Sequence, residues 1–107
     1  MHGYRDRVRK QPDRIYEGRK PQPLGARTGR KNLTGPQLRQ ARLERQPQWS
    51  LEELSQALLR TANIELSESA LSKIENGQRS VYDYELQAFA MTLDVSLDWL
   101  VNGEHLP

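Results

Sequence analysis

From Ser67 to Arg79 the chain reads Ser-Glu-Ser-Ala-Leu-Ser-Lys-Ile-Glu-Asn-Gly-Gln-Arg. At the ~100° per residue of an α-helix, Ser67, Ala70, Leu71 and Ile74 share one stripe, while Glu68, Ser69, Ser72, Lys73 and Asn76 occupy an opposite arc of about 140°. None of the five is an activated nucleophile. They offer short polar side chains and one cation, with donors and acceptors that suit the edges of bases or phosphate oxygens. An ordinary solvated helix face is the alternative reading of the same strip.

Covalent chemistry finds little support elsewhere. The two histidines, His2 and His105, lie near the termini, and there is no cysteine. No Ser/His/Asp set, paired carboxylates or phosphate-cradling glycine loop is present, and no spacing suits a metal. The expectation is therefore a non-enzyme with no catalytic residues, no metal ligands and no small-molecule cofactor. No apolar run reaches the roughly 18 residues of a membrane span, and the first residues lack a signal-peptide core. A cytoplasmic protein with no membrane partner is expected.

The elements that must hold the strip are legible in charge and capping. The 107 residues suit one small domain with a tail. Residues 1–32 carry ten Lys/Arg against three acids, a balance of +7, whereas the rest carries six against eleven, a balance of −5. The first 32 residues are rich in Arg, Pro, Gly and Gln and cannot bury enough surface to offset ordering entropy. They are expected to form a basic, largely disordered arm that contacts a polyanion, or else serves only as a solvated tail.

Residues 33–107 form the body. Four caps with hydrophobic staples are read there: Leu33-Thr34 with Leu38, Trp49-Ser50 with Leu54, Leu66-Ser67 with Leu71, and Val95-Ser96 with Leu100. Thr34/Gln37 and Ser50/Glu53 also match capping boxes. These signals predict helices at about 35–46, 51–62, 68–76 and 97–102, and the spacing of Leu86, Phe89, Ala90 and Leu93 adds one at about 83–93. Pro47 closes the first, while Asn76-Gly77 and Asn102-Gly103 read as left-handed stops. The fold class is all-α, a five-helix bundle. Its expected core is Leu38, Leu43, Trp49, Leu54, Leu58, Leu71, Ile74, Leu86, Phe89, Leu93 and Leu100.

Four stretches carry a family likeness: Leu38 to Leu43, Ser50 to Leu54, Ser67 to Gly77 with its Ile-Glu-Asn-Gly, and Leu93 to Leu100 with Val-Ser-Leu-Asp-Trp-Leu. Together they resemble the Cro-like, XRE-type helix-turn-helix family of phage repressors and bacterial regulators, across residues 33–103. The resemblance implies a phage-repressor-like bundle whose second and third helices bind double-stranded DNA, the third entering the major groove. It implies that Glu68, Ser69, Ser72 and Lys73 read bases, and that Asn76, Gln78 and Arg79 touch phosphate. It further implies an ion pair between Arg42 and Glu75, locking the first helix against the third.

Two departures stand out. The family usually places a phosphate-clamping Gln at the start of the second helix, where this chain has Leu51. The distance from Leu54 to Leu71 is about six residues longer than is usual, which calls for an extended second helix and a longer turn. By analogy the protein binds as a homodimer, with Leu97, Trp99 and Val101 as candidates for the self-contact. Trp99 also reads as a core anchor. The resulting expectation is a sequence-specific transcriptional repressor of bacterial or phage origin, associated with the nucleoid when bound. A protein-interaction module or antitoxin on the same fold is the alternative, favoured by Leu51 and the acidic body.

Overall fold

The computed structural model describes residues 29–103. The greater part of the expected arm, residues 1–28, and the end of the chain from Glu104 lie outside them. Five helices follow in order: α1 (Gly35–Leu43), α2 (Leu51–Ala62), α3 (Glu68–Glu75), α4 (Asp83–Leu93) and α5 (Leu97–Asn102). The described residues contain no strand, so the body is an all-α, five-helix bundle.

Local chemistry explains most of the boundaries. Ser50 accepts from the Glu53 N–H at 3.1 Å, and the Glu53 carboxylate accepts from the Ser50 N–H at 2.8 Å. That reciprocal pair starts α2. Ser67 accepts from Ala70 N–H at 3.1 Å and Ser96 from Trp99 N–H at 3.0 Å, starting α3 and α5. The start of α1 differs. Thr34 has helical angles (φ −91°, ψ −14°) and makes no side-chain cap. Asn32 takes that role, its Oδ1 accepting from Gly35 N–H at 2.8 Å. Nor does Gln37 turn back to close a box; its amide donates to the carbonyls of Leu33 and Leu100. The capping box read at Thr34/Gln37 is thus corrected.

The end of α1 is also earlier than the predicted 46. A proline ring collides with the carbonyl four residues before it and disfavours helical angles at the preceding residue. For Pro47 these are Leu43 and Gln46, and the helix stops at Leu43. The chain then folds back, with the N–H groups of Arg45 and Trp49 directed to the Arg42 carbonyl. Between α2, which ends at Ala62, and α3 lies an extended turn. Asn63 adopts left-handed angles (φ 54°, ψ 39°) to end α2, Ser55 Oγ donates to the Leu66 carbonyl at 2.6 Å, and Leu66 is buried.

Leu38, Leu54, Leu58, Leu71, Ile74, Phe89, Leu93 and Leu100 form the buried centre together with Ala41, Leu66 and Ala88. α2 lies against α3 and α4, while α1 touches α3, α4 and α5. Three expected core residues are only half-buried: Trp49 and Leu86 pack on the margin, and Leu43 stays outside the cluster. The alanines were missed because their small side chains add little to an apolar stripe, yet they let helices approach closely.

Candidate nucleic-acid interface

α3 presents two different surfaces. Leu71 and Ile74 are fully buried, whereas Glu68, Ser69, Lys73 and Asn76 are exposed and Ser72 is half-buried. The Asn76 amide lies 3.5 Å from Ser72 Oγ, a long contact that leaves both groups available. Lys73 makes no ion pair among the described residues. Gln78 is exposed just past the helix. The polar strip is therefore continuous and turned outward.

The frame behind it is charged and buried. Arg42 Nε donates to Glu75 Oε2 at 2.8 Å, and its Nη2 donates to Glu75 Oε1 at 3.0 Å, a fork against a carboxylate. The third nitrogen, Nη1, donates to the Trp49 carbonyl at 2.8 Å. One guanidinium thus ties α1 to the end of α3 and to the turn before α2. The hydrogen bond from Arg42 to Glu75 raises the Arg42 pKa, against the opposing effect of burial. Arg39 approaches the same carboxylate at 4.0 Å but remains exposed.

Arg79 has a different place. Its Nη1 and Nη2 donate to the two Glu85 oxygens at 2.9 and 3.0 Å, and Nη1 also reaches the Ser80 carbonyl. Glu85, on the first turn of α4, is buried and also accepts from the Tyr82 N–H at 3.0 Å. Burial pushes the Glu85 carboxyl up, but the hydrogen bonds from Arg79 and Tyr82, with the charge of Arg79, outweigh it and hold the group below its ordinary range. The Arg79 guanidinium is folded onto the body, where it pins the loop after α3 to α4.

The C-terminal end of α3 is held by residues that the sequence assigned to the arm. Asn32 is buried, and its amide donates to the carbonyls of Ile74 at 2.9 Å and Arg79 at 2.8 Å. Arg30 Nη2 donates to the Glu75 carbonyl at 3.0 Å, and Lys31 N–H to the Gly77 carbonyl at 2.9 Å. The bond to Glu75 serves a carbonyl that the helix end leaves without an intrahelical donor, and a guanidinium there suits the helix dipole. Gly77 turns at φ +77°, and a Cβ there would stand 2.6 Å from the Arg30 guanidinium carbon. Gly35 similarly lets α1 press on α3, where a Cβ would meet the Glu75 carbonyl at 2.8 Å. Residues 30–32 are thus a strap on the body. Asn32 sits three residues before the first helical residue, and its cap preference was the available signal.

A model of the helix-turn-helix family matches residues 38–100. The chain belongs to the XRE-type helix-turn-helix family. This is a family of DNA-binding transcription regulators rather than of enzymes. No curated protein and no solved structure matches the chain. Within the family frame Leu51, at the start of α2, is half-buried against the core and offers no polar group. Glu52 and Glu53 follow it, both exposed, so the α2 end of this helix-turn-helix is acidic. Exposed cations near α3 are Lys73 on the helix itself, Arg39 beside Glu75 and Lys31 beside Gly77. Among the described residues no helix is long and apolar enough to cross a membrane, and no group of His, Cys, Asp or Glu is placed to hold a metal ion.

Proposed function

We propose that this helix-turn-helix protein is a sequence-specific regulator of transcription, a repressor that occupies a double-stranded operator with α3 in the major groove. The observation that carries the reading is the outward strip of Glu68, Ser69, Ser72 and Lys73, backed by a helix face locked in place through Leu71, Ile74 and the Arg42–Glu75 fork. Lys73 addresses guanine O6 and N7, and Glu68 accepts from cytosine N4. Asn76 and Gln78 lie where phosphates would pass, while Arg79 acts there through the loop that it braces.

The regulator binds as a homodimer in the cytoplasm. Leu97 is 47% exposed on α5, with Val101 half-buried on the same helix, and both are available to a second copy. Trp99, half-buried and packed on the core, supports that surface from within. Selection from a random duplex library by the full chain at near-physiological salt tests the reading. An inverted repeat with half-sites about one helical turn apart is expected. Lys73→Ala should weaken binding by about 1–3 kcal/mol and relax preference at one position of each half-site. An unchanged motif and affinity would remove Lys73 from the base-reading set.

A second reading rests on the acidic start of α2, where Leu51, Glu52 and Glu53 replace a phosphate clamp. It makes the fold a protein-interaction module or antitoxin. Failure of the full chain to enrich any duplex would favour it.

A further inference from the structure

The loop that follows α3 is held by its carbonyls. With Gly77 at φ +77°, the Gln78 N–H donates to the Lys73 carbonyl at 2.8 Å and the Gly77 N–H to the Ile74 carbonyl at 3.0 Å, the paired bonds of a left-handed helix stop. Three further carbonyls are engaged from the strap: Arg30 holds that of Glu75, the Lys31 N–H that of Gly77, and Asn32 that of Arg79. The side chains of Asn76 and Gln78 remain exposed. A phosphate oxygen only accepts hydrogen bonds, and so does a carbonyl. A loop laid along a DNA backbone therefore gains when its carbonyls are engaged elsewhere and its donors face out.

Within the strap, Asn32 bonds the loop at both of its ends. An amide side chain carries two N–H donors and one oxygen. Both donors of buried Asn32 are spent, on the Ile74 carbonyl at 2.9 Å and the Arg79 carbonyl at 2.8 Å, while the oxygen accepts from the Gly35 N–H at 2.8 Å. One amide nitrogen thus draws together the two ends of the segment 74–79, which carries Asn76 and Gln78. Aspartate in this place would lack the donors, and serine has only one. Arg79 adds a second brace through its guanidinium on Glu85.

We propose that Asn32 is a positioning residue for operator binding: by holding the ends of the 74–79 segment together, it presents the Asn76 and Gln78 amides to backbone phosphates. Asn32 is itself buried and acts through the loop. The proposal rests on the reading of α3 as a DNA-binding helix and separates two tasks within it. Base preference belongs to the outer face of α3, which is mounted through the buried side chains of Leu71 and Ile74 and the Arg42–Glu75 fork. Sequence-independent backbone contact belongs to the loop, and that contact depends on Asn32.

The test compares the full chain with full-length Asn32→Ala and Asn32→Ser, each made alone and in a background carrying Asn76→Ala and Gln78→Ala. Serine keeps an oxygen for the Gly35 N–H, so α1 retains a cap, and this milder variant decides if Asn32→Ala does not melt cooperatively. Affinity for the selected duplex is measured well below each melting temperature, with circular dichroism showing the folded state, so that lost stability alone does not move it. Asn32→Ser should bind about three- to tenfold more weakly, as expected for a lost hydrogen bond, and should select the same sequence. In the background without the two amides the same change should have no further effect, because residues that act through one another do not add. Unchanged affinity of folded Asn32→Ser, an equal loss with and without the amides, or an altered preferred sequence overturns the positioning role while leaving α3 as the reader. Absence of specific binding by the unaltered chain overturns the α3 reading and the role of Asn32 together.

Discussion

Glu85 is buried, yet it accepts from two nitrogens of Arg79 and from the Tyr82 N–H. Its carboxyl is held below the ordinary value of 4.5. The unfolded chain therefore takes up the proton first as pH falls, and the stability contributed by ionised Glu85 is present above about 4.5 and lost as pH drops through the folded value. Glu85→Gln should cost about 1.5–3 kcal/mol at neutral pH, the range for hydrogen bonds to charged groups. The gap between the two proteins should narrow as acid removes the wild-type advantage. Thermal midpoints from pH 7 to pH 3 measure both, and a constant gap would show that Glu85 titrates alike in both states. Sequence spacing placed Arg79 after α3 but could not show its direction, because that depends on a carboxylate in the next helix. Lys73 was easier: it sits opposite Leu71 and Ile74 on one helix, and periodicity alone turns it outward.

At the scale of elements, caps divide into those that bond and those that only look the part. Ser50 bonds Glu53 N–H, whereas Thr34 Oγ1 is buried without a hydrogen-bond partner among the described residues. Ser50→Ala should lower stability by about 1 kcal/mol. Thr34→Val, which removes an unsatisfied hydroxyl while keeping its shape, should be neutral or stabilising by about 1 kcal/mol. Denaturant midpoints of the two variants should move in opposite directions, or that of Thr34→Val should stay in place. The helices α2, α4 and α5 were legible to the residue because their caps and apolar spacing are local. The start and end of α1 were less so. Asn32 is a cap only because its amide also finds the end of α3, and the turn after Leu43 is drawn in by Arg42 and Trp49. Both depend on contacts between segments distant in sequence.

At the scale of the whole molecule, residues 30–32 are bonded to the five-helix body. Cooperative structure includes Arg30 and Asn32, which bridge the beginning of α1 and the end of α3. A chain beginning at residue 29 should match the full protein in melting temperature. One beginning at residue 33 should lose about 2–4 kcal/mol, since Asn32 and Arg30 make several bonds worth about 1 kcal/mol each. Equal melting temperatures for the two truncations would show that the strap adds no stability. Composition read the basic charge correctly but could not separate its last residues from the rest, because Arg30, Lys31 and Asn32 are as polar as what precedes them.

The two ends of α3 are fastened by parts of the chain that never use its outer face. Ser67 and the Leu66 turn hold one end, and Arg42, Arg30 and Asn32 hold the other. Positions 68, 69 and 73 are exposed and do not contribute to the core. α3 is therefore mounted like an interchangeable key blank: its teeth can be recut by mutation while the lock-plate stays intact. On the reading proposed above, a new recognition sequence is reached through surface substitutions at positions 68, 69 and 73 that leave the core untouched.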